Sequence, residues 1–208
     1  MNLLNRSKIA QFENELIELY GRGVQTIRDF VATVERLAEE KYPNAKIDPQ
    51  ELDRQNTFKG DMLEIMAEIF FALFQTDTAV GVRNYTPVPP SEDFGVDAFG
   101  TNVNGNQCVV QVKYRNNISD TITYKDMART YASARERHNI SLDENDTMLL
   151  FTTAGDISPQ CSEVFGNKIR VIDRKIIAGK IDDNKSFWIE AGNLIDDTLN
   201  DMSKMNAQ

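Results

Sequence analysis

Two periods of apolar residues divide this chain. Ile9, Phe12, Leu16, Leu19 and Tyr20 fall at the spacing of one helix face across residues 8–20, and Gly21 ends the run. Residues 23–41 repeat the pattern with Val24, Ile27, Val31, Val34 and Leu37 and stop before Pro43. The short Gly21-Arg22-Gly23 link predicts an antiparallel helical hairpin. The periodicity shows a buried face but not what buries it. A structural extension is the plain reading, and a dimerisation or substrate-positioning arm the sharper one. Asp48-Pro49-Gln50-Glu51 is a helix start, with Asp as the N-cap and Pro in the first turn, and the helix it opens is expected to be short. From Thr57 to Phe74 apolar residues nearly surround a helix, which predicts deep burial, and Glu64 and Glu68 share one of its faces.

The period then shortens to that of strands. Val80-Gly-Val82 reads as a short strand, and Tyr85-Thr-Pro-Val-Pro-Pro90 as an extended, proline-stiffened stretch. Asp93-Phe-Gly-Val-Asp97 and Val109-Val-Gln-Val-Lys-Tyr-Arg115 flank the turn signal Asn104-Gly105, which predicts a β-hairpin. Thr123 and Asp126 have capping-box spacing for a helix to about His138. Residues 147–153 read as a strand, Ser158-Pro159 opens a helix to about Gly166, and Ile169–Ile172 is a short strand before a helix through Ile176, Ile177 and Ile181. Phe187, Trp188 and Ile189 are expected to return to the core, and the polar tail from Asn200 to fray. The early strands pair as neighbours and the later ones need crossovers. The fold class is therefore α/β, a mixed sheet flanked by helices with an N-terminal helical extension. The expected divisions are an extension over 1–55, a core over 56–190, and a C-terminal helix and tail over 191–208.

Composition changes this picture little. No stretch reaches the length of a membrane span, and the first residues lack the apolar region of a secretory signal. Cys108 and Cys161 read as buried thiols in a reducing compartment, so a soluble cytoplasmic protein is expected. A net charge of −9 argues against non-specific coating of nucleic acid, yet leaves room for one locally basic face and for carboxylates that bind a metal ion.

Chemistry concentrates in the hairpin. Asp97, Gln111 and Lys113 are polar where a buried strand should be apolar, and unpaired burial of such groups is costly. Gln111 and Lys113 point to one face of their strand; Val110, Val112 and Tyr114 point to the other. Register decides where Asp97 points. A two-residue turn at Asn104-Gly105 sets Asp97 opposite Val112, whereas a three-residue loop with Gly105 in a G1 bulge sets it opposite Gln111. In the second register Asp97 offers Mg²⁺ a carboxylate, Gln111 a side-chain carbonyl and Val112 its backbone carbonyl. Glu64 would restore the charge that Gln111 lacks, and Lys113 would assist the attacking water or steady charge on a phosphate. The implied reaction is metal-assisted hydrolysis of a phosphodiester. Arg115, Lys125 and Arg129 are candidate phosphate contacts, the last two otherwise a solvated helix face. His138, the one histidine, reads as a helix cap or surface residue, and Trp188 as core.

Gly95-Val-Asp97 followed by Gln111-Val-Lys113-Tyr-Arg115 resembles the Mrr-like branch of the PD-(D/E)XK nucleases, the restriction-endonuclease-like fold, a branch with Gln where most of the superfamily has an acid. Lys59-Gly-Asp-Met-Leu-Glu64 is similar to the first core helix of that family, which makes Glu64 the carried-over acid and Glu68 the fallback. The strand Leu149–Thr153, the helix at Ser158 and the strand Ile169–Asp173 resemble the closing βαβ part, so the likeness covers about 57–190. Phe94 stands where many relatives have a second Gly. The resemblance implies a Mg²⁺-dependent endonuclease acting on DNA, with Mn²⁺ as a substitute; it leaves residues 1–55 unexplained, and the helical hairpin over 8–41 is the candidate for specificity or for a homodimer contact. The chain has no G-x-x-x-x-G-K-[ST] loop, so a helicase or DNA-reading module would be a separate partner. The rival reading is a catalytically inactive protein of this fold, serving as a DNA-binding or protein-interaction module. The missing acid at 111 and the acidic total favour it a little, and the intact Lys113 argues against it, since a buried lysine without a task is costly.

Overall fold

The computed structural model describes residues 4–21, 23–89 and 94–206. Arg22 of the helical link, Pro90 of the stiffened stretch and Asp93 of the hairpin lie outside the described residues. The helices are α1 (Arg6–Gln11), α2 (Glu13–Leu19), α3 (Ile27–Lys41), α4 (Pro49–Leu73), α5 (Tyr124–Glu136), α6 (Pro159–Phe165), α7 (Arg174–Ile181) and α8 (Lys185–Asn206). The strands are β1 (Arg83–Pro87), β2 (Ala98–Thr101), β3 (Gln107–Lys113), β4 (Thr121–Ile122), β5 (Met148–Thr152), β6 (Asp156–Ile157) and β7 (Ile169–Ile172). The chain forms two compact units, Met1–Ile69 with Ile177–Gln208, and Phe70–Ile176. These limits fall at other positions than the 55/56 and 190/191 divisions expected from the sequence.

The first unit is helical. The single helix expected over 8–20 is two helices, because Phe12 leaves helical geometry (φ −121°, ψ 25°) between α1 and α2. There its ring meets Phe58 edge-on at 5.7 Å. The Thr26 hydroxyl caps α3 by accepting from Asp29 N at 3.0 Å, which moves the helix start inward from the expected residue 23. Glu15 pairs with Lys41 and Glu18 with Arg36, so α2 and α3 run antiparallel, as the link implied. The short helix expected at Pro49 is instead the first part of α4, a continuous helix of 25 residues. No second Pro interrupts it, and the polarity of its early turns reflects exposure rather than an end. The tail expected to fray is helical to Asn206. Arg6 of α1 holds its outer face, donating to Asp201 and to Met205 Sδ. Trp188 is buried, as expected, and its indole N–H donates to Ile181 O at 3.0 Å. Ile189, by contrast, is exposed.

The second unit carries a mixed five-stranded sheet of order β1-β2-β3-β5-β7, flanked by helices. β1, β2 and β3 form an antiparallel meander, and β3, β5 and β7 are parallel. Crossovers through α5 and α6 supply the parallel connections, as a right-twisted sheet requires. The strand expected at Val80-Gly-Val82 lies later, at β1, because the Asp77 side chain accepts from Ala79 N and Val80 N and holds those residues in a turn. The two-stranded pair β4–β6 was not legible in the sequence, since two residues carry no period. One face of the sheet buries Val109, Met148 and Leu150 with Met127 and Ala134 of α5. On the other face Phe70 and Phe71 meet Phe151 at 5.2 and 5.6 Å, and Phe71 stacks on Tyr85 at 5.1 Å. Cys108 and Cys161 are buried free thiols. Among the described residues no helix is long and apolar enough to cross a membrane.

Candidate metal and phosphate site

Register comes first, because everything at the site depends on it. Ala98 pairs with Val110, Phe99 with Val109, Gly100 with Cys108 and Thr101 with Gln107. One step further, Asp97 N donates at 3.0 Å to Val110 O, the carbonyl of the residue paired with Ala98, and the Asp97 carboxylate meets the Gln111 amide. The loop explains this phase. Asn102 N donates to Asn106 O at 2.9 Å and Gly105 N to Asn102 O at 3.0 Å, closing a three-residue loop. Gly105 has φ +87°, as the bulge position requires. Asn102, 1% exposed, organises the loop with its amide. Its Oδ1 accepts from Asn104 N and Asn106 N, both at 3.0 Å, and its Nδ2 donates to Asn145 O and Asp146 O at 3.2 and 2.8 Å. The hairpin tip is thereby tied to the loop before β5.

At the other end of the hairpin β2 peels away from β3. Val112 N therefore finds no strand partner there, and Asp97 Oδ2 accepts from it instead at 2.6 Å. Gln111 Nε2 donates to the same carboxylate oxygen and reaches Val112 O at 3.3 Å. Gln111 is 2% exposed, Asp97 half-buried. Three groups expected to act together, the Asp97 carboxylate, the Gln111 amide and the Val112 peptide, do converge in the second unit.

Helix α5 fixes the loop that presents Asp97. Thr123 and Asp126 form the expected capping box at its start. Gly95 has φ +91°, and a Cβ there would lie 2.8 Å from the Arg129 side chain, so the loop rests directly on the helix. Thr130 Oγ1 lies 2.6 Å from Gly95 O and 2.6 Å from Gln111 Oε1. Ser133 donates to Phe94 O, and the Arg137 guanidinium covers the Phe94 ring at 3.6 Å.

The basic candidates divide. Lys113 follows Gln111 on the same side of β3 and is half-buried. Among the described residues its ammonium makes no ion pair. Arg115 is held back by an ion pair to Asp126 at 2.9 Å. Burial pushes the Asp126 carboxyl up, but bonds from Thr123 and Arg115 outweigh it and leave the group below its usual range. Arg174 donates to Arg115 O at 3.1 Å and Asn116 O at 2.9 Å, bracing the strand end. Lys125 and Arg129 are exposed on α5.

No protein-family model, curated protein or solved structure matches this chain. The site is therefore read from its own geometry.

Glu64 and Glu68 belong to the first unit. There Glu64 pairs with Lys8, which also reaches Asp61 at 2.7 Å. Glu68 accepts from Asn5 N at 2.9 Å, and burial, with Glu64 beside it, pushes its carboxyl up to about 7 against the pull of Asn5 N–H and Lys8. Among the described residues no group of three or more His, Cys, Asp or Glu side chains is gathered as a metal site. The donor set at Asp97 is of another kind: one carboxylate, one side-chain amide and one peptide carbonyl. The carboxylate and the peptide carbonyl offer oxygens of the kind a hard cation such as Mg²⁺ takes, whereas Gln111 turns Nε2 towards them and its Oε1 towards Thr130. His138 closes the end of α5, its backbone N–H donating to Ser133 O at 3.2 Å, but its ring is not at the surface: it packs edge-on against Phe99 at 4.6 Å, and its Nε2 is buried with no hydrogen-bond partner among the described residues. Sequence reasoning missed Asn102 and Thr130. Only a buried Asn in a turn hinted at the first, and Thr130 sits within an amphipathic helix where a hydroxyl carries no pattern of its own.

Proposed function

We propose that this protein is a metal-dependent endonuclease that hydrolyses phosphodiester bonds of DNA, on a restriction-endonuclease-like fold. The observation that carries the reading is the register of β2 and β3, which sets the Asp97 carboxylate against the Gln111 amide and the Val112 peptide. Asp97, Gln111 and the Val112 carbonyl would hold Mg²⁺, or Mn²⁺ in its place. The ion would supply positive charge against the scissile phosphate. Lys113, with no ion pair among the described residues, orients the attacking water and steadies charge on the phosphate oxygens. Lys125 and Arg129 are exposed enough to meet the DNA backbone, and Arg115 would have to leave Asp126 to do so.

The test is nicking or cleavage of supercoiled plasmid with Mg²⁺ by the native protein, Asp97→Ala, Gln111→Ala and Lys113→Ala. Loss of cleavage in Asp97→Ala and Lys113→Ala is expected. Equal cleavage by all four proteins would refute the assignment. Glu64→Gln in the same assay tests the acid of α4 independently.

One contact favours a second reading. The Gln111 amide donates to both Asp97 and Val112 O, a set already complete as a hydrogen-bonded cluster. A protein that kept the fold as a DNA-binding or protein-interaction module would look the same. Metal-independent DNA binding with no cleavage in Mg²⁺ or Mn²⁺ identifies that case.

A further inference from the structure

One cation at the strand ends carries more charge than its contacts use. β3, β5 and β7 are parallel, so Lys113, Thr152 and Ile172 close the same edge of the sheet. Arg174 lies just past that edge. Its backbone N–H donates to Ala154 O at 3.0 Å, and its side chain crosses back to the segment after β3. There Nη2 donates to Arg115 O at 3.1 Å and to Asn116 O at 2.9 Å, which takes both hydrogens of that nitrogen. Nε is buried with no hydrogen-bond partner, and Nη1 makes no hydrogen bond, among the described residues.

Bracing the two carbonyls therefore occupies one nitrogen of the three. A neutral amide, which also carries two hydrogens on one nitrogen, could do as much. The positive charge is surplus to the bracing, and a half-buried charge is costly unless something meets it. Burial pulls the guanidinium below its usual range, with Tyr114 and Asp120 opposing. Among the described residues no carboxylate forms an ion pair with Arg174, in a chain of 32 acidic and 23 basic residues that could readily supply one. Arg115 is the contrast, neutralised by Asp126. Lys113 also lacks an ion pair among the described residues, and Arg174 touches the peptide two residues beyond it. Two uncompensated cations thus share the carboxyl edge of the parallel strands, where open α/β sheets take their ligands. We propose that Arg174 is a phosphate-binding residue, whose Nη1 end meets a second backbone phosphate of the DNA beside the one that Lys113 serves. This rests on the nucleic-acid reading proposed above. A guanidinium suits phosphate oxygens, and the two bonds from Nη2 hold it in place before the strand arrives, so little side-chain freedom is lost on binding.

The test is binding of a fluorescein-labelled DNA duplex by the native full chain, Arg174→Gln and Arg174→Lys, read by anisotropy across a range of KCl concentrations, in EDTA and again in Ca²⁺. Glutamine keeps a two-hydrogen donor without the charge, and lysine keeps the charge. Arg174→Gln should bind about tenfold more weakly and lower the slope of log K against log salt by about 0.9, the release of one counter-ion. Arg174→Lys should keep the native slope. A native slope in Arg174→Gln, with or without weaker binding, leaves Arg174 a brace alone and overturns the inference. The ¹⁵N-labelled native chain gives a second readout. Its Arg174 Nε–H is sealed from solvent and should yield a slowly exchanging resonance, assigned by its absence from Arg174→Lys, that shifts as the duplex saturates. An unmoved resonance overturns the inference whether or not the glutamine variant folds. No duplex binding by the native protein in either condition overturns the nucleic-acid reading itself and the inference with it.

Discussion

Asn102→Ala should destabilise the sheet-bearing unit by about 2–3 kcal/mol. The side chain is 1% exposed and makes four hydrogen bonds, to Asn104 N, Asn106 N, Asn145 O and Asp146 O. A net contribution of about 0.5–1.5 kcal/mol for each would give about 2–6 kcal/mol. Asn104 and Asn145 are exposed and regain water when the amide is lost, which brings the expectation to the lower part of that range. Asn102→Asp is the sharper variant. It keeps the two acceptances but sets a carboxylate against two carbonyl oxygens, so it should be at least as damaging as alanine despite its shape. The assay is urea unfolding followed by tryptophan-independent far-ultraviolet dichroism, comparing midpoints at constant slope. Both variants within ~0.5 kcal/mol of the native protein would refute the view that this amide organises the loop and, through it, the register of Asp97.

Three further outcomes are expected. Glu68 holds its proton to about pH 7 when folded and releases it near 4.5 when unfolded, so its contribution to stability is present below pH 4.5 and lost as pH rises to 7. Glu68→Gln should match the native protein at pH 4.5 and exceed it at pH 8 by up to ~3 kcal/mol, read from urea midpoints, and equal midpoints at pH 8 would refute this. Gly95→Ala should cost about 2 kcal/mol, because φ +91° is strained for alanine and the new Cβ meets Arg129, with thermal unfolding as the check. Burial pushes the Cys108 thiol up to about 12, so it should react with a disulfide reagent only as fast as the protein opens, with denaturant accelerating it.

The sheet, its hairpin and the later helices were legible because each has a period, a cap or a turn signal. Thr123 with Asp126 and Ser158 with Pro159 announced α5 and α6 in advance. The register was legible only as two alternatives, since one extra loop residue changes the face and Asn104-Gly105 fits either turn. What decided it was the amide of Asn102 reaching across to Asn145 and Asp146, a contact between residues over forty positions apart. The length of α4 and the helical end of α8 exceed what the sequence suggests for one reason: a polar stretch does not mark the end of a helix. In both places exposure, not disorder, accounts for the polarity. Thr130 shows the remaining gap, because its part in the site is a contact with Gln111, nineteen residues away.

The point where β2 leaves β3 has a consequence for how this surface can vary. Val112 serves the candidate site through its peptide N–H and carbonyl alone, while its side chain is buried on the opposite face of the strand. Substitution at 112 can therefore retune the fit against that side of the sheet while the two peptide groups stay where they are. At 111 the reverse holds, since the whole side chain is spent on the site. Neighbouring positions of one strand are thus free to drift under separate constraints, one set by volume and the other by hydrogen-bond polarity.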